Sequence, residues 1–162
     1  MSLPAMILTL MTAASITGST AAAQTQSEPK PIWSLLKTDE GASLMFAVPQ
    51  SDDLAFFLLC NNKSKRVDLT VYEAMETVQV GSPITIEMAA GDQNSTVKGR
   101  AATDEMMGFV YGQARRIAPA PVLAVPRAKG ELTVKMGASS ANYPEAGRAA
   151  AVAGFVRNCR VK

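Results

Sequence analysis

Histidine is absent from this 162-residue chain. Histidine is the usual general base near neutral pH and the commonest metal ligand, so its absence excludes Ser-His-Asp catalysis, Cys-His catalysis and histidine-based zinc sites. Long apolar runs are also missing. Residues 7–16 form a largely apolar segment, but it is only about half of the roughly 20 residues that cross a bilayer.

An excess of one charge sign is lacking too. The chain has 16 lysines and arginines against 14 aspartates and glutamates, which gives a net charge of +2. Such a balance argues against a polyanion binder, including a nucleic-acid-binding protein. With 48% hydrophobic and 19% charged residues, the composition is typical of one globular domain.

The N-terminal residues predict export. The apolar segment 7–16 is followed by small residues and by Ala21-Ala22-Ala23, which fits the rule for signal-peptide cleavage after Ala23. The first four residues lack the usual lysine or arginine, and a membrane anchor is the competing interpretation. We expect residues 1–23 to be a signal peptide, residues 24–31 to be a flexible leader, and the mature protein to be periplasmic or secreted.

Only two cysteines are present, Cys60 and Cys159. In an exported protein two such cysteines are expected to pair in the oxidising compartment. The closed loop of about 100 residues would stabilise the fold by roughly 4 to 5 kcal/mol in the chain-entropy model. Free buried thiols and a redox pair are the alternatives, although no C-x-x-C spacing occurs. A single disulfide-closed domain is therefore expected over residues 32–162.

Alternation of apolar and polar residues predicts most of the chain to be β-strand. Strands are expected at residues 42–48, 54–60, 66–72, 84–88, 96–101, 108–114 and 131–136. Residues 54–60 are apolar on both sides, which predicts a central strand covered on both faces. The strands before and after residues 61–65 are expected to form a hairpin, as are those around residues 91–94.

Three segments break this pattern. Residues 103–107 are expected to form a helical turn, and the proline-containing residues 117–127 either an edge strand or a short turn of helix. Residues 137–142 are expected to be a polar loop. A helix is predicted from Pro144 to about Arg160, because proline suits the first helical position. Its apolar stripe would place Cys159 against the sheet.

These elements predict a mainly β domain. It would be a β-sandwich or a curled antiparallel sheet of about seven to eight strands, with one C-terminal α-helix packed on the sheet. Trp33, which follows the leader, is expected to pack over one end of the core.

A basic cluster is the best candidate for ligand or partner contacts. It consists of Lys63, Lys65 and Arg66 together with Arg115 and Arg116. Lysine and arginine side chains form charge-assisted hydrogen bonds with phosphate and sugar-acid groups, which envelope polymers carry. A solvated hairpin end is the competing interpretation.

Catalytic and metal sites are not expected. The adjacent acidic pairs Asp39-Glu40, Asp52-Asp53 and Asp104-Glu105 fall at turns or caps, and neighbouring strand residues point to opposite faces. Nine methionines suggest a Cu(I) site. However, Met106-Met107 is the only adjacent pair, so methionines are expected to fill gaps in the core. No cofactor is expected.

The sequence therefore predicts a non-enzymatic periplasmic module that binds another envelope protein or an envelope polymer, and not nucleic acid. One alternative is an inhibitor or accessory subunit of an exported enzyme, which would present the proline-rich residues 119–126. The other is a histidine-free hydrolase that uses carboxylate, serine or lysine groups. The sequence does not identify the partner or the oligomeric state.

Overall fold

A computed structural model describes residues 28–103, 106 and 108–160. The predicted signal peptide and its cleavage site lie outside these residues. The strands are β1 Ile32–Thr38, β2 Gly41–Ala47, β3 Leu54–Asn61, β4 Arg66–Val71, β5 Pro83–Ala90, β6 Gln93–Thr103, β7 Val110–Ile117, β8 Leu132–Met136 and β9 Ser139–Tyr143. The helices are α1 Pro119–Arg127 and α2 Arg148–Cys159. Within the described residues, no helix has the length and apolar character needed to cross a membrane.

All nine strands belong to one curled antiparallel sheet, in the order β1-β2-β3-β4-β7-β6-β5-β8-β9. The predicted mainly β fold with a C-terminal helix on the sheet is confirmed. The predicted hairpins β3–β4 and β5–β6 both form. The two edge strands, β1 and β9, were not predicted from the sequence, and the polar loop predicted at residues 137–142 is wrong because β9 lies there.

Both helices pack on one face of the sheet, which we call the inner face. Helix α1 lies against β6 and β5, helix α2 lies against β1 and β2, and the two helices contact each other. The predicted apolar stripe of α2 is buried here, including Val152, Phe155 and Cys159. The opposite side of the sheet is called the outer face.

The predicted cover on both faces of β3 is wrong. The strand is central, because it pairs with β2 on one edge and with β4 on the other. Phe56 and Leu58 are fully buried on the inner face, whereas Leu59 on the outer face is 38% exposed. Both helices lie on the inner face, and Phe57 on the outer face is only half-buried.

Helix α1 decides between the two predictions for the proline-containing segment. Pro119 and Pro121 lie in the first turn, where backbone N–H groups have no intrahelical acceptor, so proline is tolerated. The edge-strand alternative is wrong. Val122, Leu123, Val125 and Pro126 are buried in the core. This segment therefore does not present the exposed apolar surface that the inhibitor hypothesis assigned to it.

Helix α2 begins at Arg148, four residues after the predicted start. Gly147 precedes it with a positive φ of 81°, a conformation that glycine adopts readily. The carbonyl of Pro144 instead accepts a hydrogen bond of 2.7 Å from the indole Nε1 of Trp33. Trp33 is thereby held over one end of the core, where its ring packs on Phe46, Phe56 and Tyr143.

The predicted disulfide is present. Cys60 on β3 is bonded to Cys159 at the end of α2, with the two Cα atoms 5.9 Å apart. Both cysteines are almost fully buried. The bond therefore ties the last described helix to the centre of the sheet.

A charged side chain, that of Arg148, is enclosed by the core. The guanidinium of Arg148, a fully buried residue, donates hydrogen bonds to the carbonyls of Pro126, Ala128 and Gly130. Its burial lowers the pKa of Arg148, and the Glu145 carboxylate opposes that shift.

The hydroxyl of Tyr143 donates a hydrogen bond of 3.3 Å to the carbonyl of Ala55. Burial raises the pKa of Tyr143 well above its usual range, and the charge of Glu73 raises it further.

Candidate functional site

A groove of about 820 Å³ crosses the outer face of β6 and β7. The connection between β4 and β5, together with the first residue of β5, forms one wall of the groove. Val80 of the connection and Pro83 of β5 face the groove. That wall is fixed to β6 because the Gly81 N–H donates a 2.8 Å hydrogen bond to the carbonyl of Ala101. The groove is therefore bounded by the sheet and by a segment that the sheet holds in place.

Three cationic side chains line the groove: Lys98, Arg100 and Arg115. On β6 the side chains alternate, so Lys98 and Arg100 point outward while Val97 and Ala101 are buried. Arg100 lies opposite Gln113 of β7 in the antiparallel register. Arg115, two residues beyond Gln113, consequently faces the same side of the sheet as the two β6 cations.

Each cation is held by a neutral acceptor. The Nζ of Lys98 donates to the Thr85 hydroxyl at 2.9 Å, and the Nη1 of Arg100 donates to the Gly81 carbonyl at 2.9 Å. These bonds fix the side chains without neutralising their charge. The positive charge of β6 therefore stays directed at the groove.

Arg115 is positioned by a short chain of hydrogen bonds. Its Nε donates to the Oε1 of Gln113 at 2.7 Å. The Nε2 of Gln113 in turn donates to the hydroxyl of Thr70 at 3.3 Å, and Thr70 is buried on β4. Gln113 thus uses both ends of its amide to orient the guanidinium.

The chemistry of the groove is that of an anion site. No carboxylate is among the described residues that line it. Guanidinium and ammonium groups form strong charge-assisted hydrogen bonds with carboxylate and phosphate oxygens, and a guanidinium can do so with two parallel bonds. The arrangement suits binding of an oxyanion rather than transfer of a proton.

The structure brings the predicted basic cluster together in part. Lys63 and Lys65 lie in the β3–β4 turn, and Arg66 begins β4. Pairing of β4 with β7 places this end of β4 beside Arg115 and Arg116. Of these five residues, only Arg115 lines the groove itself.

A β-bulge lies where β4 meets β7. The register shifts between Val67 and Leu69, so that Asp68 faces both Arg115 and Arg116. Arg116 has a positive φ of 55°, and its N–H donates a 2.6 Å hydrogen bond to the Asp68 carboxylate. The bulge leaves both arginine side chains exposed at adjacent positions of one strand.

Lys98, Arg100 and Gln113 were not predicted from the sequence as residues of the site. The alternation of residues 96–101 was recognised as a strand, and the same alternation places Lys98 and Arg100 on one face. What the sequence did not show was that β7 would be the neighbour that adds Arg115 to that face.

The other sequence candidates do not meet in a site. Asp39-Glu40 and Asp52-Asp53 lie in separate turns, and Asp104-Glu105 falls outside the described residues. The described residues contain no cluster of three or more cysteine, aspartate or glutamate side chains that could hold a metal ion. Met75, Met88 and Met136 are buried in the core, whereas Met106 is 91% exposed.

Comparison with known proteins gives no match to a protein-family model, to a curated protein or to a solved structure. The geometry of the groove is therefore the basis for the functional proposal.

Proposed function

We propose that this protein is an exported, non-enzymatic binding module of the bacterial cell envelope, and that its groove holds an anionic group of an envelope polymer. The observation that carries the proposal is the convergence of Lys98, Arg100 and Arg115 on one groove, with no carboxylate among the described residues that line it. These three cations share one groove, and each is anchored by a neutral hydrogen-bond acceptor. Such pre-oriented cations bind an anion at a low entropic cost.

The remaining lining supports a ligand that also has apolar surface. Val80, Pro83 and Ala102 border the groove, and Val80 is 57% exposed. The C–H face of a sugar ring would pack against such side chains while its acid group meets the cations. The groove volume of about 820 Å³ lies within the range of small-ligand sites.

A hydrolase is less well supported. Hydrolysis without histidine needs a carboxylate, or an activated hydroxyl or amine, at the reacting atom. The described groove lining offers the Thr103 hydroxyl and three cations but no carboxylate. Its residues suit holding an anion better than activating water.

The proposed location rests on residues 1–23 and is supported by the disulfide, which is stable in an oxidising compartment. Intact-mass measurement of the protein from its native source tests this proposal. We expect a mature chain that begins near Gln24 and gains two hydrogen atoms on reduction. A mature protein that retains residues 1–23 would contradict it.

Binding is tested by titration calorimetry with a short oligogalacturonate. We expect Arg115→Ala, Arg100→Ala and Lys98→Ala each to weaken binding by about tenfold, the effect of losing about 1.4 kcal/mol of charge-assisted contact. Lys129→Ala is the matched control, because Lys129 is exposed and lies away from the groove. Equal affinities for the groove variants and the control would overturn the proposal, as would no binding by the wild-type protein.

A further inference from the structure

The groove is one end of a longer basic surface. Beyond Arg115, the β4–β7 pairing places Arg116 and then Arg66 on the same side of the molecule, and the β3–β4 turn follows. We call this surface the cationic track. Its members are Arg100, Lys98, Arg115, Arg116, Arg66, Lys65 and Lys63, and all of them are exposed.

The strand geometry sets the spacing of the charges. Neighbouring strands lie about 4.8 Å apart, and residues two apart on one strand are separated by about 6.7 Å. Successive cations of the track are therefore about 4 to 8 Å apart at their backbones, and the shortest spacings are those of the chain neighbours Arg115–Arg116 and Lys65–Arg66. From β6 across β7 to the β3–β4 turn, the track is about 20 Å long by the same spacings.

The charge of the track is mainly positive. The carboxylate of Asp68 lies within it, and one of its oxygens accepts the backbone N–H of Arg116. Asp39 and Glu40 lie beside its far end, since the Asn62 N–H of the β3–β4 turn donates a hydrogen bond to the Glu40 carbonyl. The seven lysines and arginines of the track outnumber these three carboxylates, and charges this close act together within the Debye length of about 8 Å at physiological salt.

We propose that the ligand is an extended acidic polysaccharide, which runs from the groove along the cationic track to the β3–β4 turn. This inference rests on the proposed function and specifies its ligand. An elongated array of cations suits a chain with repeated carboxylates better than one small anion. The apolar groove wall at Val80 and Pro83 favours sugar rings over inorganic polyphosphate, which has no apolar surface. Proteins that bind single-stranded nucleic acid stack its bases on aromatic side chains, and none of the described residues that line the groove is aromatic.

The dependence of binding affinity on the length of the oligosaccharide tests the track proposal. Oligogalacturonates from the monomer upward are titrated into the mature, oxidised protein at constant salt. We expect affinity to rise with length, by more than tenfold in total, until the oligomer spans about 20 Å, and then to level off. The triple variant Lys63→Ala/Lys65→Ala/Arg66→Ala should flatten this length dependence, whereas Arg115→Ala should weaken binding at every length.

The matched control removes the same number of charges elsewhere. Arg127→Ala/Lys129→Ala/Lys135→Ala has the same net charge as the track variant, and its three positions are exposed. It should keep the wild-type length dependence.

If the wild-type affinity does not rise with length, or if both triple variants flatten it equally, the track proposal is overturned while the groove proposal stands. If polyphosphate of matched length binds as tightly, the assignment to a polysaccharide is overturned. If no oligomer binds, the proposed function fails as well.

Discussion

At the scale of single residues, Arg148 connects three parts of the chain. Its guanidinium lies in the core and satisfies carbonyls at the end of α1 and in the connection to β8. A cation near a helix C-terminus also interacts favourably with the helix dipole. The residue therefore holds α1 and α2 in their relative positions.

Replacement of Arg148 by methionine tests this role. Arg148→Met keeps a long apolar stem but leaves one buried and two half-buried carbonyls without their charged donor. We expect the free energy of unfolding to fall by roughly 3 kcal/mol, measured by urea denaturation. Arg157→Met on the exposed side of α2 is the control and should change stability by less than about 0.5 kcal/mol. Equal effects of the two substitutions would contradict the assigned role.

The raised pKa of Tyr143 predicts that the free energy of unfolding falls at alkaline pH. Because burial raises its pKa in the folded protein, the unfolded chain loses the phenolic proton first, near pH 10. The stabilisation of the folded state by the protonated Tyr143 phenol is fully present below pH 10. It is lost as the pH rises above this value, by about 1.4 kcal/mol per pH unit. Comparison with Tyr143→Phe in urea at pH 8 to 11 isolates this slope. Parallel pH profiles for the two proteins would show that Tyr143 does not titrate as described.

At the scale of elements, the disulfide links β3 to α2 across a sequence separation of 99 residues. The double variant Cys60→Ala/Cys159→Ala should lose roughly 4 to 5 kcal/mol in the chain-entropy model, which is a large part of the stability of an ordinary domain. Urea denaturation of the variant, and of the wild type with and without reductant, measures the loss. A variant as stable as the oxidised wild type would show that packing of α2 alone holds the two elements together.

The elements that were predicted from sequence are those with a strong local signal. Alternation of apolar and polar side chains identified β2, β4, β5 and β8, a continuous apolar run identified β3, and short turns identified the hairpins, including the one that leads into β6. Strand β9 was missed because its residues 139–142 are polar or small, so an edge strand there has no apolar stripe. The start of α2 was predicted too early because Pro144 is a favourable first residue, although its carbonyl is occupied by the indole of Trp33.

The pairings between strands that are distant in the chain could not be predicted from the sequence. Strand β7 lies between β4 and β6, and β8 pairs with β5. These neighbours are decided by how the hairpins pack together and not by any turn between them. The candidate site depends on this step, because Arg115 reaches the groove only through the pairing of β6 with β7.

At the scale of the whole molecule, net charge does not describe how charge is distributed over the surface. A total of +2 argued against any polyanion as ligand, yet it is a sum over the chain. Asp52-Asp53 lies in the β2–β3 turn, at the opposite end of β3 from the β3–β4 turn. Asp39-Glu40 lies in the β1–β2 turn, beside Asn62 of the β3–β4 turn, and several strands away from the groove on β6 and β7. A local field depends on charges within about one Debye length. The fold therefore separates the groove from both acidic pairs, although the composition counts all of these charges together.

The position of α2 also determines when the molecule can finish folding. Phe155 and Cys159 complete the inner face, and they are near the end of the described chain. A polypeptide emerges from the ribosome with its N-terminal residues first. Strands β1 and β2 are consequently synthesised long before α2, the helix that packs on them. Burial of their inner face therefore depends on a helix that becomes available only after the strands between them have been made.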